Sequence, residues 1–239
     1  LQHELTYSTV LALLELGGIP LLSSDRGEDM PLVLGGGPCA YNPEPVAPFF
    51  DAFVIGDGEE ALGEVLDVVK LRRKEGRAAL LAALAEVPGV YVPAAHDPAE
   101  CTITKRVVAD LETADYPMHP LVPFVEIVHD RGQIEVARGC TRGCRFCQAG
   151  MITRPVRERS IEGIGKMVEK GLAATGFEEV GLLSLSSADH SEIADLTKQL
   201  ADTYDGTNTG LSLPSTRVDA FNIDLANELS RNGRRSGLT

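Results

Sequence analysis

The sequence predicts an α/β protein in two parts, an open α/β domain followed by a run of strand–helix units. Three observations point to this class. Buried-type strands at Pro31–Leu34 and Ala52–Ile55 each run into a glycine turn, and the second turn opens a helix. After Cys147, helix and strand patterns alternate three times. Between the two parts, from His96 to Phe124, periodicity is lost among Pro98, Pro117, Pro120 and Pro123. Strands alternating with helices through tight turns build a sheet whose ligand crevice lies at the strands' carboxyl ends.

The elements follow in order. Leu5–Leu16 reads as an amphipathic helix closed by Gly17-Gly18, and Ile19–Leu22 as a short strand. Pro31–Leu34 enters Gly35-Gly36-Gly37, and Ala52–Ile55 enters Gly56-Asp57-Gly58-Glu59-Glu60, whose acids suit the start of a helix running to about Val69. A helix over Leu80–Val87 and a strand over Val90–Val92 complete a domain at 1–95. Residues 96–124 read as a linker, with Thr102–Val108 alternating like an edge strand. The second part, 125–239, starts with a hairpin, Val125–Val128 and Gln133–Val136 around Asp130-Arg131-Gly132. Ser160 is an N-cap for a helix to about Ala174. Glu179–Leu185 and Gly210–Leu213 are strands, with helices over Ser191–Tyr204 and Asp219–Arg231, the last ended by Gly233.

Composition sets limits. The 239 residues carry a net charge of −13, with 44% apolar and 24% charged residues, an ordinary balance for a globular protein able to bury a core. No run approaches the ~18 apolar residues of a membrane span, so no membrane partner is expected. The acidic balance argues against broad contact with nucleic-acid backbone. The chain opens inside a helix pattern and stops at Gly237-Leu238-Thr239, where a strand would start, which reads as part of a longer protein.

Three of the five cysteines, Cys140, Cys144 and Cys147, fall within eight residues as C-x3-C-x2-C. Three thiolates on one loop are close enough to share one inorganic cluster. On a cube of four irons they leave one iron open for chemistry, whereas four cysteines would close the site for electron transfer alone. From Arg138 to Arg159 stand six arginines against a single acid, Glu158, a basic island that offsets the charge of thiolates and of an anionic ligand. Gly139, Gly143 and Gly150 let the backbone wrap closely. A structural zinc site would need a fourth ligand, and His119 and His129 show no pairing pattern. A disulfide suits neither the chain's size nor any sign of secretion.

These residues resemble the radical S-adenosylmethionine (radical SAM) signature, with Phe146 as the aromatic residue before the last cysteine. More narrowly, Ile134–Arg159 is similar to uncharacterised radical SAM proteins with an N-terminal cobalamin-binding-type domain. The resemblance implies that Cys140, Cys144 and Cys147 hold a 4Fe–4S cluster. S-adenosylmethionine then chelates the open iron, and Phe146 packs near its adenine. One electron from the reduced cluster would cleave the sulfonium to methionine and a deoxyadenosyl radical. It also implies that 1–95 is the end of a cobalamin-binding-like domain and 125–239 the first half of a six-unit partial barrel, with the cysteine loop after its first strand, Gln133–Ala137. Barrel active sites sit at that end.

Further assignments follow from the resemblance. The segment Ser184–Asp189 stands where the family has a Gly-Gly-Glu-like element for the S-adenosylmethionine amino group. Here Ser186 and Ser187 replace the glycines and Asp189 is the nearest acid, so hydroxyls and carbonyls would serve the ammonium. Equally, Ser187 or Asp189 would cap the next helix. Arg217 would grip the methionine carboxylate, or be structural. Gly35, Gly36 and Gly37 resemble the glycine element of cobalamin domains, against the plainer reading of a tight turn, and GDGEE resembles an acidic turn of cobalamin-type radical SAM proteins. The D-x-H-x-x-G element of base-off cobalamin domains is not in the chain, its place falling before Leu1.

The implied activity is radical SAM catalysis, with cobalamin-dependent methylation as one outcome. The alternatives are cobalamin-independent modification of RNA or protein, such as methylthiolation, or a non-catalytic iron–sulfur electron carrier. Methylthiolation usually needs a second cluster, for which Cys39 and Cys101 are too few. An electron donor such as flavodoxin or ferredoxin, and a reducing cytoplasm, go with the cluster. Cys39 and Cys101 read as small hydrophobes, and His3, His96, His119, His129 and His190 as surface or satisfied groups. Lys70–Arg77 reads as a solvated helix face.

Overall fold

The structure, a computed structural model, describes residues 1–125, 127–220 and 223–231. The chain divides into two compact units, Leu1–Val108 and the residues from Ala109 onward. The strand expected to begin at Gly237-Leu238-Thr239 and the terminating Gly233 lie outside the described residues.

The first unit contains α1 (Thr6–Leu16), β1 (Leu34–Gly35), β2 (Ala52–Val54), α2 (Glu59–Arg72), α3 (Arg77–Ala85) and β3 (Val90–Tyr91). Its sheet has the order β1-β2-β3, with β1 and β2 parallel and β3 antiparallel to β2. Val65 on α2 and Leu80 and Leu84 on α3 bury against Ala52, Val90 and Val92. Phe50, Phe53 and Tyr91 form a second, aromatic cluster. A buried charge knot holds β1 in place. Asp51 takes Arg26 at 3.1 Å, Arg77 at 2.7 Å and the Val33 N–H at 2.7 Å.

Several sequence expectations change here. Ile19–Leu22 is not a strand, because Arg26 donates to the carbonyls of Pro20 and Leu21 at 2.9 and 2.8 Å and bends the segment around itself. The stretch Thr102–Val108 reduces to a single bridge between Arg106 and Gly56. Arg77 leaves the solvated group of Lys70–Arg77: only 11% of its side chain is exposed, because it closes on Asp51. Lys70 and Arg72 stay exposed, paired with Asp67 and Glu75.

The second unit runs β4 (Gly132–Glu135), β5 (Ala137–Arg138), α4 (Ala149–Ile152), β6 (Arg157–Glu158), α5 (Ile161–Thr175), β7 (Glu179–Leu183), α6 (Ile193–Thr203), β8 (Gly210–Ser212) and α7 (Ile223–Ser230). Strands β4, β7 and β8 form a parallel sheet in that order, with a helix after each of β7 and β8 and α5 between β4 and β7. These are three successive βα units, the arrangement of the first half of a barrel. No closed barrel exists among the described residues.

Ile164, Met167 and Val168 on α5 and Leu196, Leu200 and Ala201 on α6 carry the i, i+3/i+4 stripes that bury the helices on this sheet. Ser160 caps α5 as expected, its Oγ accepting the Gly163 N–H at 3.0 Å. At the far end Gly176 takes a left-handed φ of 71° and closes on the Leu172 carbonyl.

Among the described residues the expected hairpin at 125–136 does not form. Val125 and Val128 are 72% and 94% exposed, and Gly132 instead starts β4, in parallel register with Val180. Arg131 is tied to Glu179 at 3.0 Å, so the chain enters the sheet here rather than doubling back. Cys39 is buried, and Cys101 packs on the aromatic cluster of the first unit. His190 is a satisfied core residue: Nε2 donates to the Arg159 carbonyl at 3.1 Å and Nδ1 accepts the Glu192 N–H at 3.1 Å.

Candidate functional site

The cysteine loop leaves the sheet one residue past β4, through β5. Its base is clamped by the antiparallel pair β5–β6, with Ala137 opposite Glu158 and Arg138 opposite Arg157. The clamp carries the loop across the carboxyl ends of the parallel strands, because Val136 N–H still donates to Leu183 of β7 at 2.9 Å. Gly139 makes the turn out of β5 at φ 93°. A Cβ there would stand 2.8 and 2.9 Å from the carbonyl oxygens of Pro155 and Thr153, so only glycine fits.

Within the loop the three cysteines are free thiols and partly exposed. Each sulfur receives one donor. The Arg142 N–H points at Cys140 Sγ (3.4 Å), the Gly150 N–H at Cys147 Sγ (3.4 Å), and the Arg217 guanidinium at Cys144 Sγ (3.5 Å). Gly150 stands between two cysteines of the set: a Cβ on it would meet Cys147 Sγ at 3.7 Å and Cys140 Cβ at 3.9 Å.

Among the described residues, no three His, Cys, Asp or Glu side chains close on a single metal ion. A cubane seats each thiolate on a different iron, so its ligands stand further apart than those of one ion. The donor set of three thiols, each already accepting a hydrogen bond, fits such a cluster.

The arginine island is not a reserve of free charge. Arg142 makes a two-pronged pair with Asp189, through Nε at 2.8 Å and a second shorter bond from Nη2, and its Nη1 lies 3.5 Å from Asp219. Asp189 also accepts the Ser186 hydroxyl at 2.7 Å. The Arg142 bonds hold the Asp189 carboxyl below the usual carboxylate range, and Arg217 does the same to Asp219. Arg138 and Arg159 both turn to Glu135, at 2.9 and 3.3 Å, and buried Arg159 lies over the Tyr116 ring. Arg145 stays exposed. The sequence shows the arginines and singles out Asp189 for another role, but not that Glu135, Asp189 and Asp219 are brought to them as partners.

The other expected site residues fall as follows. Phe146 is 92% exposed beside the last cysteine. Ser187 is fully buried, donating to the Leu182 carbonyl at 2.8 Å, and Ser186 is occupied by Asp189. Neither Ser187 nor Asp189 caps α6, whose N-cap is Glu192 without a side-chain bond. Arg217 grips Asp219 with Nε and Nη2, at 2.9 and 3.1 Å. In the first unit Gly35 is required by packing, since a Cβ would lie 2.5 Å from the Phe53 ring, and a Cβ on Gly37 would lie 3.0 Å from the Leu1 carbonyl oxygen. Gly36 is open, its nearest neighbour for a Cβ being the Val54 carbonyl at 3.9 Å. Just past these glycines a cavity of about 490 Å³ opens at the carboxyl ends of β1 and β2, lined by Tyr41, Glu44, Ile55, Tyr91 and Cys101.

The site is thus three thiols on a loop across the ends of a parallel α/β sheet. The comparisons name the class. Residues 134–238 match the family model described as "Radical SAM superfamily", and residues 1–93 that described as "Radical SAM proteins, N-terminal". The chain belongs to the radical SAM superfamily. An uncharacterised protein of Methanocaldococcus jannaschii is 29% identical over 197 residues, 81% of this chain and 39% of that protein.

Two solved structures of the radical S-adenosylmethionine methyltransferase TsrM from Kitasatospora setae share the fold. The one with cobalamin and a 4Fe–4S cluster has a TM-score of 0.59 at 16% identity, covering 84% of this chain and 40% of that one. The one with tryptophan and a S-adenosylmethionine analogue has a TM-score of 0.55 at 18% identity, with the same coverage. The chain thus spans about 40% of the length of these relatives. Among the described residues no helix is long and apolar enough to cross a membrane.

Proposed function

We propose that this chain is the cofactor-binding part of a radical SAM enzyme, with Cys140, Cys144 and Cys147 as ligands of a 4Fe–4S cluster. The observation that carries this reading is the set of three sulfurs, each accepting one hydrogen bond, on a loop clamped across the carboxyl ends of parallel strands. Hydrogen bonds to sulfur stabilise thiolate ligands and adjust the potential of the centre. When bound, the cluster supplies one electron for reductive cleavage of S-adenosylmethionine. The chain's own residues then bind and orient. Phe146 offers an exposed ring to the adenine, and the edge formed by Ser186 and Asp189 offers acceptors to the amino group. A one-electron donor such as flavodoxin or ferredoxin, in a reducing cytoplasm, completes the requirement.

The test is anaerobic reconstitution of the full chain with iron and sulfide, followed by dithionite and S-adenosylmethionine. The expected results are deoxyadenosine and a cluster EPR spectrum altered by S-adenosylmethionine. An unaltered spectrum without cleavage would leave an electron carrier as the function.

A second layer, cobalamin-dependent methylation, is supported by the first unit's cavity at the ends of β1 and β2, where an α/β sheet takes its ligand. The likeness of fold to TsrM, whose structure holds cobalamin, points the same way. Gly35 and Gly37 are taken up by the chain's own contacts, so Gly36 and the cavity beyond the triplet would receive part of the corrinoid. A corrinoid absorbance band in the protein as isolated is the expected result. Its absence after incubation with hydroxocobalamin would favour radical modification without cobalamin.

A further inference from the structure

We propose that Arg217 is a positioning residue that fixes the charge at the Cys144 ligand and thereby raises the reduction potential of the centre. The inference rests on the cluster reading above. Cys140 and Cys147 accept from backbone N–H groups, whereas Cys144 alone of the three accepts from a side chain among the described residues. The Arg217 fork is already divided. Nε and Nη2 hold both oxygens of Asp219, at 2.9 and 3.1 Å, and Nη1 faces the sulfur at 3.5 Å. A guanidinium spent this way has no second fork for a methionine carboxylate, the role its position in the sequence suggests.

Asp219 in turn lies 3.5 Å from Arg142 Nη1, and Arg142 is paired with Asp189. The guanidinium is therefore held from behind by acids that follow β7 and β8 in the chain. Reduction adds an electron to the centre, so a cation fixed on one of its ligands favours the reduced state. Arg217 is 40% exposed, and solvent moderates the effect without cancelling a hydrogen bond to the ligand itself.

The experiment compares wild type, Arg217→Gln and Arg217→Lys as reconstituted full chains, by iron content, EPR-monitored redox titration and S-adenosylmethionine binding. Arg217→Gln is expected to keep its iron and to shift the oxidised-to-reduced ratio about tenfold toward oxidised at a fixed poise, about 59 mV for one electron. Arg217→Lys, which keeps the charge, is expected to recover most of that shift. An unchanged potential in the Gln variant with full iron overturns the assignment. So does weaker S-adenosylmethionine binding at unchanged potential, which would return Arg217 to the carboxylate. Loss of iron in the Gln variant with retention in the Lys variant supports the same charge at Cys144, read as holding the cluster. Loss in both, with loss of native fold, makes Arg217 structural and overturns it. A wild-type chain that assembles no cubane overturns the cluster reading itself, which is a separate result.

Discussion

Gly139→Ala tests how the fold delivers the cysteine loop. Gly139 sits at φ 93°, outside the conformations an L-residue adopts at low cost. Holding alanine there costs about 1–3 kcal/mol from the backbone alone. The new Cβ would also lie 2.8 and 2.9 Å from the Pro155 and Thr153 carbonyl oxygens, which belong to the return arm of the loop. Backbone cannot swing aside as a side-chain tip can, so relief must come from opening the β5–β6 clamp that aims Cys140. Gly143 is the internal control. Its φ is not positive, and a Cβ there meets nothing within 4 Å, so Gly143→Ala should fall within about 0.5 kcal/mol of wild type. Urea unfolding and iron per chain after reconstitution are the two readouts. Gly139→Ala should lose both stability and iron, and Gly143→Ala should keep its stability. Equal stability and equal iron in the two variants would refute the idea that Gly139 aims the loop.

Three other outcomes are expected. Serine at Cys140, Cys144 or Cys147, one at a time, should abolish most iron binding at unchanged circular dichroism, because a hydroxyl is a poor substitute for a thiolate and no spare cysteine stands on the loop. Asp51→Asn should destabilise the protein by about 3–5 kcal/mol in urea melts, since it strands the fully buried Arg26 side chain without its anion. The pH dependence should carry the mark of Glu64, whose carboxyl is held below its ordinary 4.5, first by the hydrogen bonds from Arg106. A depressed carboxylate stabilises fully above its unfolded value and loses that contribution as pH falls through the folded one. Wild type should therefore lose more stability than Glu64→Gln when melts at pH 6 are compared with melts well below 4.5.

What the sequence told about this fold depended on whether the signal was local. The α5 cap is written in Ser160 and the stripe behind it. The three βα units are written in short strand patterns alternating with helical periods, and both stood as expected. The cysteine spacing was legible for the same reason, since three thiols within eight residues share one loop without help from elsewhere. The hairpin at 125–136 failed because Asp130-Arg131-Gly132 has turn chemistry, yet Arg131 finds Glu179, almost fifty residues on, and a parallel register outweighs a local turn. The site's electrostatics were hidden in the same way. Arg142 looks like free charge until β7 and β8 bring Asp189 and Asp219 to it, and Arg217 looks like a ligand clamp until Asp219 fills its fork. A chain with a net charge of −13 surrounds its basic loop with acids, and those acids decide which donors remain for cofactors. Two of the three sulfurs are served by backbone N–H groups, which no spacing rule advertises, so the loop's capacity to hold a cluster depends on how it is folded as much as on its cysteines.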